Sequence, residues 1–171
     1  MRIKAKLSLI LFAVFFLQAC AGFHLRNTVS LPEHYQKLQI LGVSQENELF
    51  QALELALEGA GGEVLGQANA KINISNIREG KRVVAYTRER KARVYLLYLK
   101  LNYDISLSRN SARNSARNSE GKTLTQRINL DKTFVYDANF ALGKAEEETQ
   151  IRENLYKEAA RLILLSLKYR E

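Results

Sequence analysis

The most restrictive feature of this sequence is the alternation at 93–107, where every odd-numbered side chain from 95 onward is apolar or aromatic. Successive side chains of a β-strand point to opposite faces, so this pattern predicts a long strand with one packed face. That face carries Tyr95, Leu97, Leu99, Leu101, Tyr103, Ile105 and Leu107. The even-numbered positions change from apolar to polar: Val94, Leu96 and Tyr98 precede Lys100, Asn102, Asp104 and Ser106. Either a partner or the chain's own helix covers the apolar half of this second face, and the alternation leaves both open.

Other extended and helical patterns surround this strand. Extended patterns occupy 36–42, 71–87 with a bend or bulge at Glu79 and Gly80, and 122–135, and 88–91 are predicted to form a hairpin tip. One helix begins at Ser44, as its cap, and ends at Gly61 and Gly62; a second, amphipathic helix occupies 145–169. The order β-α-β-β-β-α predicts an α+β domain, with a mostly antiparallel four-stranded sheet and two helices packed on one face.

A low-complexity repeat separates the last two predicted strands. Residues 109–119 read RNSA-RNSA-RNS and contain no apolar side chain larger than alanine. Such a segment cannot form a core of its own, so it is predicted to be a flexible loop. Its arginines either contact phosphates or stay solvated, and the solvated loop is favoured.

The N-terminus has the organisation of a lipoprotein signal peptide. Three basic residues precede an uncharged apolar run at 7–17, which as a helix would be about 16 Å long and too short to cross a bilayer. The run ends in Leu-Gln-Ala-Cys, the pattern at which a cysteine is lipidated and the chain is cleaved before it. Cys20 is the only cysteine and is not followed by aspartate, so we expect lipidation at Cys20 and no inner-membrane retention. The predicted division is 1–19 signal peptide, 20–35 lipidated tether and 36–171 folded domain.

No pattern in the sequence indicates catalysis or metal binding. The histidines are His24 and His34, both before the predicted domain, and no cysteine pair, His-x-x-x-His, Gly-x-Ser-x-Gly or glycine-rich phosphate loop is present. We therefore expect no enzyme activity, no metal and no cofactor. Loss of the signal peptide removes three of the 26 basic residues, leaving 23 against 18 acids, a net charge of +5. For an exported protein this charge favours an anionic lipid or glycolipid over nucleic acid.

Positive charge is concentrated around the predicted hairpin. Seven basic residues between positions 78 and 93 are opposed by two acids, Glu79 and Glu89. The basic residues are Arg78, Lys81, Arg82, Arg88, Arg90, Lys91 and Arg93. Such a cluster suits phosphate groups, which arginine binds through two parallel hydrogen bonds. It equally suits a solvated hairpin whose charges prevent aggregation.

Three short motifs occur in order along the chain. Residues 20–26 read CAGFHLR, residues 136–148 read YDANFALGKAEEE, and residues 155–163 read LYKEAARLI. The first resembles the Cys-Gly-aromatic-His-Leu-Arg start of the LptE family, and the others resemble the segment before that family's last helix and the helix itself. The order of elements fits this resemblance along the mature chain. The additional Ala21 and the RNSA loop depart from the family pattern.

This resemblance implies a lipoprotein on the periplasmic side of the outer membrane. Members of the LptE family plug the lumen of the LptD β-barrel, support its assembly and bind lipopolysaccharide. The resemblance also implies that Arg88, at the hairpin tip, and Lys144, before the last helix, bind lipid A phosphates, with Arg90 and Lys91 as weaker candidates. Two other functions stay open: a pilotin or chaperone lipoprotein for another envelope protein, and an envelope hydrolase without a recognisable motif.

Overall fold

A computed structural model describes residues 31–107, 124–136 and 141–169. It contains, after a 3₁₀ turn at Glu33–Tyr35, the strands β1 (Lys37–Leu41), β2 (Glu63–Val64), β3 (Ala70–Tyr86), β4 (Ala92–Leu107) and β5 (Leu124–Val135), and the helices α1 (Glu48–Gly59) and α2 (Ala141–Lys168). The predicted signal peptide, Cys20 and the RNSA loop lie outside the described residues.

The strands form one sheet in the order β2-β1-β3-β4-β5. β1 is parallel to both neighbours, whereas β3 with β4 and β4 with β5 form long antiparallel pairs. The predicted α+β class is confirmed, but the predicted count of four strands is wrong, because Glu63 and Val64 add a short fifth strand. Its formation depends on distant backbone partners: the Glu63 N–H donates to the Gln36 carbonyl at 2.6 Å. Two residues are too few to show an alternation that sequence reading would detect.

Both helices lie on one face of the sheet, as predicted. In the described strands, every buried side chain belongs to this face: Leu38, Ile40, Ala70, Ile72, Ile74, Leu97, Leu99, Leu101, Tyr103, Ile105, Ile128 and Phe134. The buried side chains of the two helices pack against them. In α1 these are Leu49, Phe50, Leu53 and Leu57, and in α2 they are Leu155, Tyr156, Ala159, Ala160, Ile163, Leu164 and Leu167. Leu31 and Tyr35, which precede the predicted domain start, are buried in the same core. We call this side of the sheet the helix face.

The helices begin at other residues than predicted. Asn47 rather than Ser44 caps α1, since its Oδ1 accepts a hydrogen bond from the Leu49 N–H at 2.9 Å. The Ser44 carbonyl instead accepts from the Asn47 N–H, in a turn before the helix. α2 begins at Ala141, four residues before the predicted start at 145, so Lys144 lies in the first helical turn.

β3 is one continuous strand with a bulge in its middle and two further register irregularities near its end, between Val83 and Ala85 and between Ala85 and Tyr86. The bulge lies between Ser75 and Arg78, not at Glu79 and Gly80. Asn76 within it has a φ of 52°, in the left-handed region that asparagine tolerates better than most residues. The extra residue shifts the alternation, and this shift decides which face receives the side chains from Arg78 to Val83.

Candidate functional site

The tip that joins β3 to β4 is a three-residue hairpin loop. The Arg90 N–H donates to the Thr87 carbonyl at 3.0 Å, and the Thr87 N–H donates to the Lys91 carbonyl at 2.8 Å. Arg90 has a φ of 62°, the left-handed conformation that this loop type requires at its third position. The predicted tip at 88–91 is confirmed, and the loop length explains why the Asn-Gly signature of a two-residue turn is missing.

The tip presents positive charge to solvent. Arg88, Arg90 and Lys91 are exposed, and none of them takes part in the ion pairs found within the described ranges. The acid between them, Glu89, accepts a hydrogen bond from the Thr87 side chain, which lowers the pKa of its carboxyl. Three of the predicted phosphate-binding cations are therefore together on one turn and accessible.

Lys144 differs from the tip cations in having an acidic partner. Its Nζ lies 2.5 Å from Glu147 Oε2, and its side chain is only 23% exposed. One turn later in α2, Glu148 pairs with Lys81 of β3 at 2.5 Å. Lys81 precedes Arg88 by seven residues, about 23 Å of extended strand. Arg88 and Lys144 are thus held by different elements, and Lys144 is less available to a ligand than Arg88.

A polar network fixes α2 across the helix face. Glu148 contacts both Lys81 and Arg152, and the Tyr156 hydroxyl donates to Glu79 Oε2. Burial, reinforced by this hydrogen bond, raises the pKa of the Tyr156 phenol. These bonds also show that Glu79 and Lys81 point toward α2, so the intervening and flanking residues of β3 point away from it.

The opposite side of the sheet carries no helix in the described part of the chain. Along β4 it presents half-buried Val94, Leu96 and Tyr98, and Val135 of β5, which pairs with Val94, is 50% exposed. We call this side, made of the even-numbered β4 positions and their strand partners, the open face. The described helices therefore do not cover the apolar half of this β4 face. Cover by the chain's own helix was one of the two possibilities that the alternation left open.

The sheet divides the basic cluster that the sequence groups together. Lys81 is paired on the helix face, whereas Arg82 pairs across the strands with Leu96 and Arg78 with Lys100 on the open face. The remaining cations lie at the tip or next to it. The prediction did not separate these groups, because it placed the bend at Glu79 and Gly80, between Arg78 and Lys81. The bulge instead precedes Arg78, and the regular alternation after it places Lys81 on the face opposite to Arg78 and Arg82. Lys100 and Arg127, which also belong to the open face, lie outside the cluster in sequence.

Within the described ranges, no three His, Cys, Asp or Glu side chains are arranged to hold a metal ion. Neither α1 nor α2 has an apolar stretch long enough to cross a bilayer.

Comparisons with known proteins identify one family by sequence. The model of the LptE family, described as lipopolysaccharide-assembly, matches residues 32–167. A protein of Photorhabdus laumondii named LPS-assembly lipoprotein LptE is 24% identical over 164 residues, which cover 94% of this chain and 84% of that protein.

Solved structures share the fold at lower sequence identity. The rare lipoprotein B of Shewanella oneidensis has a TM-score of 0.61 and 15% identity, covering 77% of this chain and 92% of that one. A lipoprotein B of Nitrosomonas europaea has a TM-score of 0.60 and 21% identity, covering 84% and 88%. Because the family model spans the sheet and both helices, this chain belongs to the LptE family of lipopolysaccharide-assembly lipoproteins.

Proposed function

We propose that this protein is anchored to the outer membrane by lipid on Cys20, plugs the lumen of the LptD β-barrel, supports assembly of that barrel and binds lipopolysaccharide for delivery to the outer leaflet. The proposal includes no catalytic activity. Family membership supports the general role, and one observation carries the ligand-binding part: the accessible, unpaired cations at the β3–β4 tip within the described structure.

The tip suits a phosphate group for electrostatic and entropic reasons. Arg88 and Arg90 flank Glu89 on a turn closed by two backbone hydrogen bonds, so their backbone positions are fixed before a ligand arrives. Charge-assisted hydrogen bonds from guanidinium to phosphate are about twice as strong as neutral ones, and arginine forms two in parallel. Lys91 adds a third cation next to the turn. This ordering lowers the entropic cost of binding at the tip.

Lys144 is the second proposed phosphate ligand and is expected to contribute less than Arg88. To bind an anion fully, its ammonium must leave or share Glu147. Single variants test this ranking: Arg88→Asp is expected to reduce lipopolysaccharide retention more than Lys144→Asp. The reverse ranking would show that the pair with Glu147 does not restrain Lys144.

A pull-down with lipopolysaccharide tests the ligand assignment as a whole. The Arg88→Asp and Lys144→Asp double variant is expected to retain much less lipopolysaccharide while keeping the wild-type circular dichroism spectrum. A matched control, Lys157→Asp with Arg161→Asp, makes the same charge change on exposed positions of α2 and is expected to retain the ligand. Undiminished lipopolysaccharide retention by the Arg88 and Lys144 double variant would contradict the assignment of these two residues to phosphate binding.

The barrel partner requires a separate experiment. The tagged chain is purified from detergent-solubilised outer membranes and run on a gel with and without boiling. One stoichiometric partner of barrel size that shifts on heating supports the plug. A soluble periplasmic partner would instead favour the pilotin or chaperone function. Substitution of Cys20 by serine is expected to abolish the lipid mass on the N-terminal peptide and release the chain from the membrane.

A further inference from the structure

We propose that the open face binds a phosphorylated lipid, with acyl chains on its apolar strip and a phosphate at the cations that end this strip. This inference rests on the proposed function and deepens it, because it extends the lipopolysaccharide site from the hairpin tip along the sheet. The apolar strip is defined by Val94, Leu96, Tyr98 and Val135.

The apolar strip is a continuous surface that the described helices leave accessible. Val94, Leu96 and Tyr98 follow each other on one face of β4, over about 13 Å of strand, and Val135 lies beside Val94 on β5. All three β4 residues are half-buried and Val135 is 50% exposed. Burial of this surface under hydrocarbon is favourable in proportion to the apolar area removed from water.

At the Tyr98 end of the strip, two positively charged side chains repel each other in the free protein. Arg78 and Lys100 are directly paired across β3 and β4, an arrangement that brings like charges close together and destabilises a sheet. Both side chains are exposed, and neither belongs to the ion pairs found among the described residues. An anion placed between them would convert this repulsion into two favourable contacts.

Neighbouring groups make this end of the strip suitable for a phosphate. Arg127, across from Asn102, donates through Nε to the Asn102 Oδ1 at 3.4 Å, which leaves its other guanidinium donors available. Lys100 Nζ lies 5.8 Å from the centre of the Tyr98 ring, so a cation and the end of the apolar strip are adjacent. A ligand with phosphate and acyl chain in close succession matches this adjacency.

Gly80, the β3 partner of Tyr98, lies at the end of the strip next to Lys100. A Cβ built on Gly80 would lie 2.8 Å from the Tyr98 hydroxyl oxygen and 3.0 Å from the ring carbon that carries it. The Tyr98 ring therefore lies against the backbone of Gly80, and a side chain at position 80 would require the ring to move. The ring thereby contacts Gly80 and lies near Lys100 at this end of the strip.

Charge and polarity together select a lipid over an acidic protein surface. The open face carries five cations, Lys71, Arg78, Arg82, Lys100 and Arg127, against the two acids Asp104 and Asp131. The apolar strip lies between the cationic tip and the pair of Arg78 and Lys100, and one acid, Asp131, borders it as the β5 partner of Tyr98. An acidic protein would satisfy the cations and leave the strip without a matching surface, whereas an anionic amphiphile satisfies both.

Retention of defined lipids tests the phosphate end of this site. The full chain is immobilised in non-ionic detergent and exposed to rough-type lipopolysaccharide, to its dephosphorylated derivative, or to lipopolysaccharide with excess inorganic phosphate. Arg78→Gln with Lys100→Gln removes two charge-assisted contacts, each worth about tenfold or more, and is expected to weaken retention of the phosphorylated form at least about tenfold. The matched control Lys157→Gln with Arg161→Gln removes two charges from α2 and is expected to bind as wild type.

Photo-crosslinking tests the apolar end independently of charge. A photoreactive phenylalanine at Val135 is expected to crosslink to the lipid, whereas the same residue at Leu55, 66% exposed on α1, is expected not to. Both positions are exposed, so the substitutions leave the core intact. Crosslinking from position 135 to protein alone would overturn the choice of a lipid. Complete competition by inorganic phosphate with no lipid crosslink would indicate a phosphate site and overturn it as well.

The outcomes separate this inference from the proposed function. If the Arg78 and Lys100 variant binds as wild type while the Arg88 and Lys144 variant does not, the open-face site is wrong and the proposed function stands. If the wild-type chain retains no lipopolysaccharide, the ligand-binding part of the proposed function fails, and the open-face inference fails with it.

Discussion

Two adjacent leucines of β4 provide a direct test of the division into helix face and open face. Leu97 is 1% exposed on the helix face, and Leu96 is half-buried on the open face. Leu97→Ala removes buried carbon atoms worth about 2.4 kcal/mol by transfer and leaves a cavity, so a loss of about 3 kcal/mol in unfolding free energy is expected. Leu96→Ala leaves no enclosed cavity, and a loss of about 0.5–1 kcal/mol is expected.

Urea denaturation followed by far-ultraviolet circular dichroism measures this difference, since the chain has no tryptophan for fluorescence. The slope of the unfolding free energy against urea concentration should be unchanged in both variants, so that differences in the urea midpoint report stability alone. In thermal unfolding, Leu97→Ala is expected to lower the Tm by about 10 °C. Lipopolysaccharide retention, measured well below that temperature, should fall for Leu96→Ala and not for Leu97→Ala. Equal destabilisation, or the reverse order, would refute the assignment of faces.

Three single residues offer further tests. Gly42→Ala is expected to lower the unfolding free energy by about 3 kcal/mol or more in urea melts, because Gly42 has a φ of +86° and a Cβ would lie 1.9 Å from the Ile74 carbonyl oxygen; a loss below about 1 kcal/mol would disprove the clash. Arg90→Gly should raise the unfolding free energy by up to about 1 kcal/mol and Arg90→Val should lower it by about 1–2 kcal/mol, since the turn requires a positive φ; similar melts for the two would argue against this turn. Because burial and Glu79 raise the pKa of Tyr156, the folded state holds the phenol proton more tightly than the unfolded chain. The contribution of Tyr156 to stability is therefore constant below about pH 10 and falls above it. Between about pH 8 and pH 10.8, urea midpoints should fall more for wild type than for Tyr156→Phe, and equal falls would exclude this contribution.

Local patterns account for the parts of the fold that could be predicted. The alternation at 93–107 identified β4 and its packed face, and the charged stretch after β3 identified the hairpin tip, because both depend on neighbouring residues. The amphipathic pattern of α2 was recognised for the same reason, although its start lies at Ala141. These features follow from the side-chain periods of strands and helices, which are present in the sequence whichever residues the element later pairs with.

Pairings between distant residues account for what could not be predicted. β2 exists because Glu63 and Val64 lie beside β1, and the bulge in β3 follows from its register with β4. Neither leaves a periodic signal in the sequence. The ion pair between Lys144 and Glu147 is local, because the two residues are three positions apart on α2. It was missed because the predicted helix began at 145, after Lys144.

The sequence by itself determined which side chains share a face of β4, the position of the cationic tip and the α+β class. The tertiary structure alone decided that α2 covers one face and that the described helices leave the other uncovered. It also placed the bulge before Arg78, which assigns Arg78 and Arg82 to the open face and Lys81 to the helix face. The physical reason is the range of the interactions: alternation is set by adjacent peptide units, whereas the bond from Tyr156 to Glu79, which holds α2 on the helix face, joins residues 77 positions apart.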